Sequence, residues 1–213
     1  MNKQSITVID YGMGNLWSVL SALRYLGCNP TISGDPDEII SANSLLLPGV
    51  GSFRKAMIAL KRQGLDQAII EAVQTKGSKI LGICLGMQLF FKESSEYGLT
   101  KGINIIDSSV KKFTSKDNSK IPNIGWSTIS NKKKFKNKIF NNINTNKSFY
   151  FVHSYYVNKF EKKEHNVEIS NNGNIEFCAF VNFKNLYLFQ FHPEKSSLEG
   201  LKIYKNFKKL IKK

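Results

Sequence analysis

The chain of 213 residues predicts an α/β protein: a parallel sheet wrapped by helices in its N-terminal part, followed by a mixed or antiparallel part. Two observations predict it. Short apolar runs alternate with stretches of helical periodicity over residues 5–95, the pattern of strand–helix–strand units. After about residue 100, short alternating runs joined by polar turns take over and imply antiparallel pairing. No Pro- or Ser-rich linker separates the two parts, so residues 1–213 are expected to form one domain.

The elements follow in order. "SITVID" is a β-branched run and reads as a strand, and "YGMGN" after it as a glycine-rich turn. "LWSVLSALRYLG" places Leu16, Val19, Leu20, Leu23 and Leu26 on one helical face and ends on Gly27. "NPTIS" and "SLLLPG" read as the next strands. "SFRKAMIALKRQGL" and "DQAIIEAVQTKG" read as helices broken near Gly64. "SKILGI" is a fourth strand and "CLGMQLFFKESSE" a helix. Beyond residue 100, "KGINIID", "SSVKKF", "IPNIGWSTIS", "SFYFVHSYYV", "NVEIS", "IEFCAFV" and "LYLFQF" read as strands, and "SLEGLKIYKNFKKLIK" as the last helix. Residues 131–147 are expected to form an exposed, mobile loop, and no internal repeat is found.

Composition narrows the function class. The apolar share is 41% and no run reaches eighteen apolar residues, so no membrane span is expected. "MNKQSITVID" lacks the apolar stretch of a signal peptide, which places the protein in the cytoplasm. Three cysteines without CxxC spacing argue against a disulfide framework or a zinc site, and neither metal nor cofactor is expected. Cys28 and Cys178 read as inert small hydrophobes. The net charge of +15 invites a nucleic-acid partner, but only Arg24, Arg54 and Arg62 are arginine, the residue whose planar fork suits that role. The lysines lie scattered among asparagines, so no nucleic-acid partner is expected.

Cys84 stands apart. Gly82-Ile83-Cys84-Leu85-Gly86 is G-x-C-x-G at a strand-to-helix junction, the cysteine form of a nucleophile elbow. Such a turn crowds its neighbours, hence glycine on both flanks, and it lifts the sulfur above the C-terminal edge of the sheet. The N-terminus of the following helix favours negative charge there. His192 and Glu194 stand two apart at the end of "LYLFQF", so in extended chain both project to one side. The carboxylate can then hold one ring nitrogen while the other faces the thiol, as a Cys84–His192–Glu194 triad requires. In "LLLPGVGSF", the glycines around Val50 can turn a peptide N–H inward. The peptides of this turn are therefore candidates for one donor of an oxyanion hole, and the N–H of Leu85, which follows the nucleophile at the elbow, for the other.

"GICLGMQLFF", "HPEKSS", "LPGVGSF", "VIDYGMGNL" and "IPNIGW" together, in order over nearly the whole chain, resemble the class I glutamine amidotransferases. Among them they are similar to the glutaminase subunits of imidazole glycerol phosphate synthase. The resemblance implies a flavodoxin-like sheet with flanking helices, hydrolysis of L-glutamine through a thioester, and ammonia passed to a cyclase or synthase of β/α-barrel type in a heterodimer. It implies Cys84 as nucleophile, His192 as base and acid, Glu194 as orienter, and Val50 and Leu85 as oxyanion donors. Gly51 and Gln88, with His153, Ser154 and Tyr155, are implied to line the glutamine pocket, and Trp126 and Lys195 the partner interface.

Two positions depart from the family pattern, Asn123 where histidine is usual and Trp17 where arginine is common. They leave open a relative that supplies ammonia for amidino groups on surface sugars. The other readings are an unrelated cysteine hydrolase on the same fold, against which Gln88 and H-P-E stand, a non-enzymatic regulator, against which the intact triad stands, and the nucleic-acid binder already weighed on its lysines.

Overall fold

The computed structural model describes residues 5–115, 118–129, 137–144, 146–158, 160 and 164–211. Strand β1 (Ser5–Ile9), helix α1 (Leu16–Tyr25), β2 (Asn29–Ser33), α2 (Pro36–Ser41), β3 (Ser44–Leu47), α3 (Phe53–Arg62), α4 (Leu65–Gln74) and β4 (Lys79–Ile83) alternate as expected. Beyond the short helix α5 (Leu85–Gln88) come β5 (Phe91–Ser94), β6 (Thr100–Lys101), β7 (Ile106–Lys112), β8 (Asn123–Thr128), β9 (Ser148–His153) and β10 (Tyr155–Val157). The chain closes with β11 (Asn166–Asn172), β12 (Ile175–Phe183), β13 (Leu186–Phe189) and α6 (Ser197–Leu210).

Among the described residues the main sheet has the order β11-β12-β13-β4-β3-β1-β2. Strands β2, β1, β3, β4 and β13 run parallel. Strands β12 and β11 add antiparallel pairs at one edge. The order places β4 beside β13, so the elbow after β4 and the turn after β13 open at the same sheet end. Strand β3 shows why the parallel part reads as continuous apolar sequence. Leu45 and Leu47 face a core with Ile80 and helices α3 and α4, through Phe53, Leu60 and Ile69. Leu46 faces the opposite core, with Val8, Leu81 and helices α1 and α6, through Leu23, Ile203 and Phe207. All three leucines are fully buried, each worth about 2 kcal/mol of transfer free energy.

Helix α2 was not expected. Its signal is "GDPDE": Asp35 Oδ1 accepts from the N–H groups of Asp37 (2.8 Å) and Glu38 (3.3 Å), and Pro36 begins the helix.

Other expectations are corrected. The helix after Cys84 stops at Gln88 instead of running to residue 96. Leu89, Phe90 and Phe91 are all fully buried, and the backbone carbonyls of the first two are taken by the loop before β7: Leu89 O accepts from Ile103 N at 2.8 Å and Phe90 O from Ile105 N at 3.0 Å. Strand β5 then pairs with β7 in a second sheet of order β10-β7-β5-β6. "KGINIID" and "SSVKKF" resolve into the two-residue β6 and one β7 that spans the expected boundary. "SFYFVHSYYV" is broken at Ser154: β9 pairs with β8, while β10 joins β7. Residues 137–144 are anchored to the body of the protein, although Lys138, Asn141, Asn142 and Asn144 are exposed. Ile139, Phe140 and Ile143 are buried, and Asn206 of α6 donates to the carbonyls of Ile139 (2.9 Å) and Asn141 (2.8 Å). Residues 131–136 and 145 of that expectation lie outside the described residues.

Candidate active site

The elbow has the strain its sequence implies. Cys84 takes φ 54° and ψ −111°, a backbone state unusual for a side chain with a Cβ. Its N–H is held by Phe189 O of β13 at 2.7 Å and its carbonyl accepts from Gln88 N at 3.2 Å. Glycine is required after it: a Cβ at Gly86 would collide with the Leu47 carbonyl. Before it, a Cβ at Gly82 would sit 2.7 Å from the Leu188 side chain. With only four residues in α5, little macrodipole acts on the sulfur, contrary to the expectation of a long helix. The charge is met by side chains instead.

His192 is the principal one. It leaves β13 in extended backbone, and Pro193–Lys195 then form a single 3-10 turn rather than continuing extended. The turn still brings the two side chains together, with His192 Nδ1 2.7 Å from Glu194 Oε1 and both side chains almost wholly buried. Glu194 Oε2 accepts from the Tyr204 hydroxyl of α6 at 3.3 Å. Nδ1 being taken, Nε2 is left buried without a nitrogen or oxygen partner and couples to the Cys84 sulfur. Burial opposes charge on the ring, but the Cys84 thiolate and Glu194 outweigh it and push the histidine up to about 10. The imidazole is thus held protonated near neutrality, with Nε2 facing the Cys84 sulfur.

Cys84, His192, Val50, Leu85, Gly51, Gln88, His153, Ser154 and Tyr155 all line one cleft of about 440 Å³. Glu194 stands behind His192. Gln88 Nε2 donates to Tyr155 O (2.9 Å) and to Gln190 Oε1 (2.8 Å), so both amide hydrogens are spent and Oε1 remains to accept from a ligand. Gln190 is fully buried and points its own Nε2 at Cys84 Sγ, 3.7 Å away. The sequence reading missed it, although a glutamine inside the apolar "LFQF" was a visible signal. It also missed Glu96, which lines the cleft and accepts from Phe53 N at 2.6 Å.

His153 forms the cleft wall as a neutral ring. Burial lowers its pKa to about 4, and His192 nearby adds to the effect. Its Nδ1 donates to Tyr155 O at 2.8 Å, so Nε2 accepts from Asn123 Nδ2 at 3.0 Å. The departure at Asn123 therefore supplies a donor that fixes this tautomer. A depressed folded pKa means stability that is present above about 6.5 and lost as pH falls toward about 4. From pH 7 to pH 5 this residue should cost about 2 kcal/mol of folding stability. His153→Gln, which keeps a donor and an acceptor, should lose less than the parent over that interval in thermal melts.

Trp126 and Lys195 do not reach the cleft. They meet over Tyr150, the Trp126 ring 5.9 Å away edge-on and Lys195 Nζ 5.9 Å from its centroid. Tyr150 O in turn accepts from His192 N at 2.9 Å. Ile124 and Trp126 share the exposed face of β8, each more than half accessible. Trp17 is exposed on α1. Among the described residues no group of three His, Cys, Asp or Glu side chains could hold a metal, and no helix is long and apolar enough to cross a membrane.

Residues 7–210, which carry this elbow, His–Glu pair and cleft, match the family model "Glutamine amidotransferase class-I". The chain belongs to this family. Imidazole glycerol phosphate synthase subunit HisH of Chlorobaculum tepidum is 44% identical over 202 residues, covering 95% of this chain and 98% of the relative. Subunit HisH 2 of Methanococcus maripaludis is 42% identical over 202 residues, with the same coverage. The amidotransferase fold recurs in the structure of PurLQS from Thermotoga maritima, at TM-score 0.74 and 19% identity over 99% of this chain and 100% of that one. The present amidotransferase is thus a glutaminase-type subunit.

Proposed function

We propose that Cys84, His192 and Glu194 hydrolyse L-glutamine and that the ammonia serves imidazole glycerol phosphate synthesis in the histidine pathway. Residues 1–213 act here as one cytoplasmic domain, docked on a cyclase of β/α-barrel type. The single observation that carries the reading is the buried His192–Glu194 pair at 2.7 Å, coupled to a cysteine at positive φ in the same cleft.

The substrate's α-ammonium is met by the free Gln88 Oε1 and the Glu96 carboxylate, and its chain runs along Gly51 and Tyr155 toward the sulfur. Thiolate Cys84 attacks the side-chain carboxamide, forming C–S as the carbonyl π pair moves to oxygen. The N–H groups of Val50 and Leu85 receive that charge. His192 gives its Nε2 proton to the departing nitrogen, and ammonia leaves with the thioester in place. His192 then takes a proton from water, which attacks the thioester and releases glutamate. Glu194 holds the ring and balances its charge.

Glu194→Gln keeps the hydrogen bond but removes the charge. Turnover should fall roughly ten- to a hundredfold, less than for loss of the nucleophile. Steady-state glutamate release checks this, and parent-like activity would remove Glu194 from the mechanism. For the acceptor, the gene is placed in a strain lacking its own histidine-pathway glutaminase subunit. Growth without histidine is expected for the parent and not for Cys84→Ala, and failure of the parent would exclude the histidine assignment.

A further inference from the structure

We propose that Tyr11 is a positioning residue for the oxyanion loop: its buried hydroxyl holds the Pro48 carbonyl, so that the Gly49–Val50 peptide beyond it can present its N–H beside Cys84. The inference rests on the reading of Val50 as an oxyanion donor.

Tyr11 follows β1 and is almost fully buried at 1% exposure. Its hydroxyl donates to Pro48 O at 3.0 Å. Its backbone is fixed as well, since Gln63 Nε2 of the α3 C-terminus donates to Tyr11 O at 3.2 Å. The next residue of the loop is held on two sides. A Cβ built on Gly49 would lie 2.9 Å from the Tyr11 hydroxyl oxygen and 2.6 Å from Gly86 N in α5. Gly49 therefore occupies a slot between the phenol and the first turn after the nucleophile, which no other residue fits. Beyond the slot the restraint ends: Val50 is 42% exposed and Gly51 takes φ +102°. The loop has a pinned base and one peptide with freedom to turn, and Tyr11 marks the boundary between them.

The chemistry of the phenol suits an anchor rather than a reactant. It has a single proton, and that proton is committed to Pro48, so it cannot itself donate to the oxyanion. Burial, and then the Cys84 charge, raise its pKa well above the ordinary value, so it remains a donor over the working pH range.

Tyr11→Phe keeps the buried ring and deletes the donor. The test uses this chain assembled with its synthase partner, at a temperature below the unfolding midpoint measured for both proteins. Three readouts separate anchoring from packing: steady-state glutamine hydrolysis, the rate of Cys84 alkylation by iodoacetamide, and the affinity for 5-oxo-L-norleucine. In this methyl-ketone analogue sulfur adds to the carbonyl carbon, the π pair moves to oxygen, and the thiol proton stays on His192, so the adduct needs the oxyanion donors. Iodoacetamide alkylation does not. For Tyr11→Phe, kcat should fall about tenfold with KM within about twofold, as expected for one misplaced hydrogen bond. Affinity for the ketone should fall by a similar factor while the iodoacetamide rate is unchanged.

Parent-like kcat and ketone affinity would overturn the proposal. So would a parallel fall in the iodoacetamide rate, which would assign Tyr11 to the elbow as a whole. A parent complex that turned over glutamine normally but did not bind the ketone would remove the oxyanion reading itself, and the proposal with it.

Discussion

Cys84→Ala or Cys84→Ser should lower glutamine hydrolysis on the order of 10³-fold or more. No second path exists for the thioester, because the other two cysteines are elsewhere. Cys178 is fully buried in β12, where burial raises its pKa well above the ordinary thiol value. Cys28 lies beyond α1, raised by partial burial. Serine at position 84 would have to lose its proton to an imidazole without the thiolate that now supports the ring's charge. The variants should still fold, since relief of a positive-φ side chain is not at issue and the sulfur makes only long contacts, 3.7 Å to Gln190 Nε2 and 3.8 Å to Val152 O. The check is glutamate release by the assembled complex, with thermal melts as control. Retention of more than a few per cent of parent activity would reject the nucleophile.

The second large effect concerns the partner. The isolated chain should hydrolyse glutamine slowly, and the complex with acceptor bound roughly a hundredfold faster, the worth of one oxyanion donor at ~3 kcal/mol. Free turnover would lose ammonia to water as ammonium. The loop that carries Val50 has the freedom such control needs, with Gly49 fitted in its slot and Gly51 at positive φ. The exposed face of β8, with Ile124 and Trp126, adjoins Tyr150 and Lys195, and Tyr150 O touches His192 N. A synthase seated there would press on the strand that holds the catalytic histidine. Trp126→Ala or Lys195→Ala should weaken the stimulation by partner and acceptor while leaving alkylation of Cys84 intact. Full-rate hydrolysis by the chain alone would end this account of control.

How far the sequence could be read follows physical lines. The alternation of β1 to β4 with helices was visible because a sheet buried on both faces must be apolar throughout, as Leu45–Leu47 are. The elbow was visible because only glycine fits beside the Leu47 carbonyl, and His192 with Glu194 because an i, i+2 pair survives a local change from extended chain to a 3-10 turn. What was missed depends on partners distant in sequence. "MQLFF" has helical spacing, yet Leu89–Phe91 are taken by β7 and the loop before it. Nothing local shows that the run at Ser154 must divide between two sheets. Gln190, Glu96 and Tyr11 acquire their roles from Gln88, Phe53 N and Pro48 O. The histidine expected at position 123 by family pattern is replaced by an asparagine whose part is legible only once His153 is seen beside it.

The most direct test of the central claim is where a glutamine-shaped electrophile lands. The assembled complex is treated with 6-diazo-5-oxo-L-norleucine near neutral pH, then digested and mapped by mass spectrometry, with excess glutamine as competitor. A single adduct on Cys84, suppressed by glutamine and absent in Cys84→Ala, is the predicted result. Modification of Cys28 or Cys178 instead, or labelling that glutamine does not suppress, would contradict the assignment of Cys84 and its cleft as the site of glutamine hydrolysis.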